Sequence, residues 1–228
     1  MKTLMFTLVI SMLLASTAVT QANEDHAAIE GPFKTPMEVT LKCLECHEEA
    51  GHDIMQTSHW TWELEQDIDE KNVFRGKKNA INNFCISING NWPRCTSCHI
   101  SYGWKDASFD FSDKSRIDCL VCHDTTGTYK KPGPAAGMPA GFTGNPKFDK
   151  NPVDLLKVAR NVGEPGRKNC VVCHGYGGGG NNVKHGDLDS SIIKPDRNLD
   201  VHMGDRDFSC QECHSTVAHK IKGNAMVV

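Results

Sequence analysis

The sequence predicts a mostly α-helical fold with long loops, in which short helices surround something other than a conventional side-chain core. Hydrophobic residues make up 39% of the 228 residues and aromatic residues only 7%, which is a thin supply of core-forming side chains. Cysteine and histidine are both frequent, with 11 of each. The helical patterns are short, and no alternating pattern indicates a strand.

The charge balance argues against a nucleic-acid-binding protein. The chain has 25 Lys and Arg against 28 Asp and Glu, a formal net charge of −3. Nucleic-acid binding normally leaves a strongly basic footprint. We therefore expect no nucleic-acid partner.

Residues 1–22 have the features of a secretory signal. Lys2 provides the positive end, residues 4–15 are apolar and uncharged, and Thr20 and Ala22 are small residues before a cleavage point. The apolar stretch is shorter than the roughly 20 residues that span a membrane. We predict cleavage and export to the periplasm or cell exterior as one domain, residues 23–228. Membrane contact is expected only if the signal stays uncleaved.

Ten of the eleven cysteines lie in five copies of the pattern Cys-x-x-Cys-His. Motifs 1 to 5, in chain order, consist of Cys43, Cys46 and His47; Cys95, Cys98 and His99; Cys119, Cys122 and His123; Cys170, Cys173 and His174; and Cys210, Cys213 and His214. Two cysteines at this spacing attach one haem through thioether bonds, and the adjacent histidine binds its iron. The sequence therefore predicts a multihaem cytochrome c, with short helices wrapped around five packed, covalently attached haems.

Zinc sites and disulfides explain the same pattern less well. A zinc site would combine cysteine pairs two by two and leave one of the five unmatched. A disulfide framework suits an exported protein. Neither gives a reason for a histidine after every second cysteine.

The segments between the motifs are irregular. The motifs begin at residues 43, 95, 119, 170 and 210, so no single repeat period exists, and the short separation of motifs 2 and 3 predicts two haems held close together. Helices are expected over 36–49, 58–66 and 151–160, the last with an Asn cap and Pro at its first position. Residues 131–146, rich in Pro, Gly and Ala, predict a surface loop. Gly177–Gly180 is either a flexible linker or a close approach of backbone to a porphyrin edge.

Histidines outside the motifs are the candidate distal ligands. His26 lies just past the cleavage point, where chain ends fray, and is not expected to bind iron. His52 remains an alternative, as do Met55 and Met203. We predict four distal ligands: His59, His185, His202 and His219.

Several segments around the motifs form a further pattern: His59–Trp62, Asn82–Ile86, Tyr102–Trp104, Asp118–Asp124, Gly177–Gly180, Val183–Asp187 and Asp200–Met203. With these segments, nearly all of the mature chain resembles the octahaem tetrathionate reductase family of multihaem cytochromes c. The resemblance implies haems that mostly carry two His ligands. Because the sequence ends 14 residues after His214, we expect it to match only the N-terminal, five-haem portion of the family pattern.

The resemblance also implies a substrate site at the haem of motif 2. The matching residues are Lys157 as an axial ligand, Asp154 as a proton-handling group and Cys85 as a nearby thiol. Taken alone, Asp154 and Lys157 are also typical of an exposed ion pair on a helix, and Cys85 of a small buried thiol.

Two functions therefore compete. The first is an electron relay that also reduces a small oxidised sulfur or nitrogen species, such as tetrathionate, nitrite or hydroxylamine, at the second haem. The second is a pure electron carrier, in which two His ligands on every iron exclude substrate. Both need a redox partner protein or a quinol-linked electron donor.

Overall fold

The computed structural model describes residues 26–79, 87–175, 181 and 188–223. The signal segment 1–22, Cys85, Gly177–Gly180 and His185 lie outside these residues. Across the described ranges, no helix is both long and apolar enough to cross a membrane.

Short helices and loops form most of the described fold, as predicted, with little sheet. The α-helices are α1 (Pro36–Leu44), α2 (Glu48–Met55), α3 (Ser58–Thr61), α4 (Trp92–Cys95), α5 (Leu120–His123), α6 (Leu155–Arg160), α7 (Arg167–His174) and α8 (Val201–Asp205). The 3-10 turns are Ile88–Gly90, Thr96–Cys98, Lys114–Arg116, Ser190–Ile193 and Cys210–Glu212. The strands are β1 (Leu64–Ile68), β2 (Lys71–Arg75), β3 (Thr216–Val217) and β4 (Lys220–Ile221).

The helix that leads into motif 1 is well specified by its sequence. Pro36 occupies the start of α1, and the Thr35 hydroxyl accepts a hydrogen bond from the Glu38 N–H at 3.3 Å. The predicted helix over 36–49 is interrupted at the motif, because α1 ends at Leu44 and His47 is the N-cap of α2.

The expectation that no strands form is wrong. The predicted helix over 58–66 stops at Thr61, because Trp62 takes a left-handed backbone with φ of 53°. Leu64–Ile68 then pairs antiparallel with Lys71–Arg75. The burial of β1 alternates between half-buried and exposed, a period of two that marks a strand.

The start of the predicted helix over 151–160 is also corrected. The Val153 N–H donates to the Ala140 carbonyl at 2.9 Å, which holds this segment outside the helix. α6 begins at Leu155, and Asp154 caps it by accepting a hydrogen bond from the Lys157 N–H at 2.9 Å.

Residues 131–146 form a loop, as predicted, but its middle is buried rather than on the surface. Ala136 and Ala140 are only 6% and 7% exposed. Gly137 has φ of +81°, and a Cβ there would lie 2.2 Å from the Ser101 carbonyl oxygen. Only glycine allows this approach, so the loop packs directly against the segment that follows motif 2.

Two clusters of apolar side chains lie between the motifs. The first is built from α1, α5 and α6, with Val39, Leu120 and Val158 fully buried. Cys43 and Cys122 pack on its edge. The second contains Ile54, Trp60 and Ile117, with Cys119 at its edge. The side-chain interior is therefore arranged around the attachment cysteines.

Candidate haem sites

Short helical turns present the motifs. Motif 3 lies on α5, motif 4 on α7, and motifs 2 and 5 include the 3-10 turns Thr96–Cys98 and Cys210–Glu212. Motif 1 bridges α1 and α2. A helical turn brings side chains three residues apart onto one face, which is the arrangement that two thioether bonds to one haem need.

No disulfide joins the ten motif cysteines, and cysteines of different motifs lie side by side. Cys43 pairs with Cys119, which joins motifs 1 and 3. Cys98 pairs with Cys173 and Cys170 with Cys210, which joins motif 4 to motifs 2 and 5. The Cys173 sulfur donates to the Cys98 carbonyl at 3.6 Å.

Backbone contacts complete the array. The Asp118 N–H donates to the Ile100 carbonyl at 2.9 Å, so the segments of motifs 2 and 3 touch, as their short separation predicts. The Asn169 amide of α7 donates to the carbonyls of Val121 and Asp124 at 3.3 and 3.0 Å, which joins motifs 3 and 4. All five motifs thus belong to one connected array.

Three motif histidines each face one further histidine at a similar separation. The ring centroids are 6.0 Å apart for His26 and His47, 6.1 Å for His59 and His174, and 6.4 Å for His123 and His219. Two imidazoles on opposite sides of one iron would be separated by about 6.3 Å, given Fe–N bonds of about 2.0 Å. The pairs therefore have the spacing that a shared iron requires.

Hydrogen bonds and burial prepare the rings for metal binding. The Nδ1 of His123 is 2.8 Å from the Gly163 carbonyl, and that of His214 is 3.0 Å from the Lys222 carbonyl. An Nδ1–H donated in this way leaves Nε2 free for a metal. Burial lowers the pKa of His59 and of His219, which favours the neutral, ligating form. The residues at motifs 1, 3 and 4 thus fit a haem with two imidazole ligands.

His26 is the residue that the sequence reasoning missed. It lies beside His47 instead of in a frayed end, and its carbonyl accepts a hydrogen bond from the Ile29 N–H at 3.2 Å. The sequence signal for His26 is weak, because it consists only of a histidine 21 residues before a motif histidine in a chain whose irons need distal ligands.

Motif 2 has a different environment. The His99 ring is fully buried among Trp60, Trp62, Trp104, Phe109 and Phe111. Its Nδ1 is 2.6 Å from the Ser101 hydroxyl, and its Nε2 is 2.6 Å from the Trp60 carbonyl. Burial lowers the His99 pKa to about 3. Both nitrogens are occupied by protein groups, so a haem here fits only if the ring gives up the Trp60 carbonyl.

The other candidate ligands are not brought to a motif histidine in the described part of the chain. The ring of His202 packs on Phe208 at 5.8 Å. His52 is exposed, with its Nε2 2.6 Å from the Gln56 amide nitrogen. His185 lies outside the described residues. Met55 packs against the second apolar cluster, and the Met203 carbonyl accepts a hydrogen bond from Arg167 at 2.8 Å.

Asp154 and Lys157 are the residues that the resemblance implies for catalysis. Asp154 caps α6 and Lys157 lies on it, and both side chains are exposed. The buried face of α6 belongs to the first apolar cluster, beside cysteines of motifs 1 and 3. A different lysine contacts motif 2. Lys131 is 5% exposed, and its Nζ is 2.8 Å from the His99 carbonyl, 3.2 Å from that of Ser101 and 2.9 Å from Asp118 Oδ2. Its position after Lys130 and before Pro132 gave no signal of this role. Cys85, the third implied residue, is outside the described ranges.

Asp118 organises the polar interior between motifs 2 and 3. Its Oδ1 accepts hydrogen bonds from the Tyr102 and Tyr129 hydroxyls at 3.1 and 3.0 Å and from the Val121 N–H at 3.0 Å. Burial and the Asp118 charge raise the pKa of both tyrosines well above the ordinary value. The carboxylate thus links α5, the segment after motif 2 and the buried loop.

Known proteins similar to this chain include a sequence relative and a solved structure. No protein-family model matches the chain. An uncharacterised protein of Archaeoglobus fulgidus is 24% identical over an alignment 269 positions long, gaps included, which covers 94% of this chain and 90% of that protein. The crystal structure of octahaem cytochrome c from Shewanella oneidensis is 55% identical, with a TM-score of 0.78.

The alignment with that structure covers 88% of this chain and 43% of the solved chain, so this chain spans less than half of its length. This chain matches the solved structure in sequence and fold over nearly all of its own length. The two share the framework of a cytochrome with covalently bound c-type haems. In sequence and fold, this chain is therefore similar over most of its own length to an octahaem multihaem c-type cytochrome.

Proposed function

We propose that this chain is an exported electron relay with five covalent haems, of which at least three carry two histidine ligands. The observation that carries the proposal is the spacing of the three histidine pairs, 6.0, 6.1 and 6.4 Å between ring centroids. His26, His59 and His219 would be the distal ligands for motifs 1, 4 and 3. In this proposal His26 takes a place that the sequence reasoning gave to other histidines.

A bound haem would supply one-electron redox chemistry, and the chain would supply position and electrostatics. Two imidazoles on an iron leave no position for a substrate, which favours electron transfer without bond formation. The carbonyls of Gly163 and Lys222 would orient the proximal rings of His123 and His214. The contacts of motif 4 with motifs 2, 3 and 5 support a branched path through that motif.

Reduction of a small oxidised sulfur or nitrogen species at motif 2 is the second candidate. The observation in its favour is that, in the described part of the chain, His99 is the one motif histidine buried without an imidazole partner, among aromatic rings and beside Lys131. The family resemblance adds Lys157 as a displaceable ligand, Asp154 for protons and Cys85 for a sulfur substrate. Tetrathionate, nitrite or hydroxylamine would then accept electrons from the relay.

The test uses protein matured in a host that exports and assembles cytochromes c. Intact mass under denaturing conditions should give the chain without residues 1–22 plus five haems. The reduced protein should pass electrons rapidly to a redox dye. A mass without haem, or a protein that exchanges no electrons with dyes, would overturn the relay.

The same preparation separates the two candidates. Reduced protein that is oxidised by tetrathionate, nitrite or hydroxylamine, with the rate lost in Lys157→Leu while five haems remain, would support reduction at motif 2. Oxidation by dyes alone would leave the pure carrier.

A further inference from the structure

The turn that carries His219 has an unusual backbone. β3 and β4 are joined by Ala218 and His219, with φ of 47° and 61°. A two-residue turn with both φ values positive normally contains Asn and Gly, because a side chain is strained there. A bulky histidine at this tip indicates that its ring is needed where the turn places it, 6.4 Å from His123.

The hairpin is held at its base and beside its tip. Motif 5 supplies the base, where the Lys222 carbonyl lies 3.0 Å from His214 Nδ1. Beside the tip, Lys220 Nζ donates to Gln56 Oε1 at 3.4 Å, which brings β4 to the end of α2. α2 also carries Asp53.

The His219 ring lacks a partner that the motif rings of His123 and His214 have. Its Nδ1 is buried and has no hydrogen-bond partner within the described residues, whereas those two rings each have a backbone carbonyl at Nδ1. The nearest ionisable oxygen is Oδ2 of Asp53, at 4.0 Å. Both side chains are about two-thirds buried, at 36% and 31% exposure.

We propose that Asp53 is a positioning residue for His219. When its carboxylate closes the 4.0 Å gap it accepts the Nδ1–H, which fixes the tautomer and leaves Nε2 free to bind the iron of motif 3. This inference rests on the proposed function, in which His219 is the distal ligand of motif 3. A carboxylate partner makes a ligating imidazole more basic, so Asp53 stabilises the oxidised iron and lowers the reduction potential at motif 3.

The experiment compares haem-loaded variants by redox titration and by electron paramagnetic resonance of the oxidised, low-spin irons. Asp53→Asn keeps the shape and removes the charge. It should favour reduction of one haem about tenfold, which is 59 mV for a one-electron couple, and shift one set of low-spin g-values. Glu49→Ala is the matched control, because it removes an exposed charge from the same helix.

A shift in Asp53→Asn no larger than in Glu49→Ala overturns the role of Asp53. If Asp53→Asn does not mature, Asp53→Glu carries the test. It keeps the charge and reaches further across the 4.0 Å gap, so the potential should stay or fall, and a rise overturns the proposal. His219→Ala tests the ligand assignment separately from the positioning role. If this variant shows no new high-spin iron, the ligand assignment fails. If it shows one but Asp53→Asn shifts neither the potential nor the g-values, only the positioning role of Asp53 is rejected.

Discussion

Replacing Asp118 with alanine should strongly destabilise the protein, because it leaves the buried charge of Lys131 without its counter-ion. The side chains of Asp118 and Lys131 are 0% and 5% exposed, and their charged atoms are 2.9 Å apart. Removing one member of a buried ion pair costs about 3–5 kcal/mol. The Tyr102 and Tyr129 hydroxyls would lose their acceptor as well. We therefore expect a loss of at least about 3 kcal/mol in the free energy of unfolding.

Asp113→Ala is the matched control for this change. Asp113 also pairs with a cation, Arg116 at 3.0 Å, but the two side chains are 36% and 37% exposed. An exposed ion pair contributes about 0–1 kcal/mol. Guanidinium denaturation of the haem-loaded protein, followed by far-ultraviolet circular dichroism, measures both variants. A loss of unfolding free energy for Asp118→Ala no larger than for Asp113→Ala would contradict this expectation.

The remaining predictions concern the ligands, the tyrosines and the second candidate function. His26→Ala and His59→Ala should each convert one low-spin iron to high-spin with all haems still attached, which optical and resonance spectra of the oxidised protein report; unchanged spectra would remove that residue from the ligand set. The raised pKa values of Tyr102 and Tyr129 keep their protons in the folded state, so stability is fully present below about pH 10, where the unfolded tyrosines ionise, and falls as the pH rises above it. Denaturation midpoints measured against pH check this, and a midpoint unaffected up to pH 11 would contradict it. Lys157→Leu should leave every iron's spectrum unchanged if the protein is a pure carrier, since its side chain is exposed on α6; a changed spectrum would instead favour the substrate site.

The motifs and most of the architecture follow from the sequence because covalent chemistry fixes their spacing. Two cysteines and a histidine must lie on one turn to bind a haem. This requirement is local, so the motif spacing is the same in any tertiary structure. His59 and His219 were likewise predicted as ligands, because few histidines were available. The pairing of His59 with His174 and of His219 with His123 does not follow from the sequence, because it depends on how distant segments meet.

Other features depend on contacts that no local pattern records. The β1–β2 hairpin replaces a predicted helix because Trp62 takes a left-handed backbone that ends α3. Lys131 is buried because its ammonium meets three oxygens from the segment of motif 2 and from Asp118. His26 was discounted from its position near the chain end, although a contact with His47 outweighs the tendency of an end to fray.

In the proposed relay, paired imidazoles are the axial ligands of at least three irons of this chain. Near-infrared magnetic circular dichroism of the oxidised, fully matured protein tests it most directly, because the charge-transfer band of a low-spin haem reports both axial ligands. At least three haems per chain should give the band of two nitrogen ligands from histidine. A spectrum dominated by high-spin iron or by histidine–methionine ligation would contradict it.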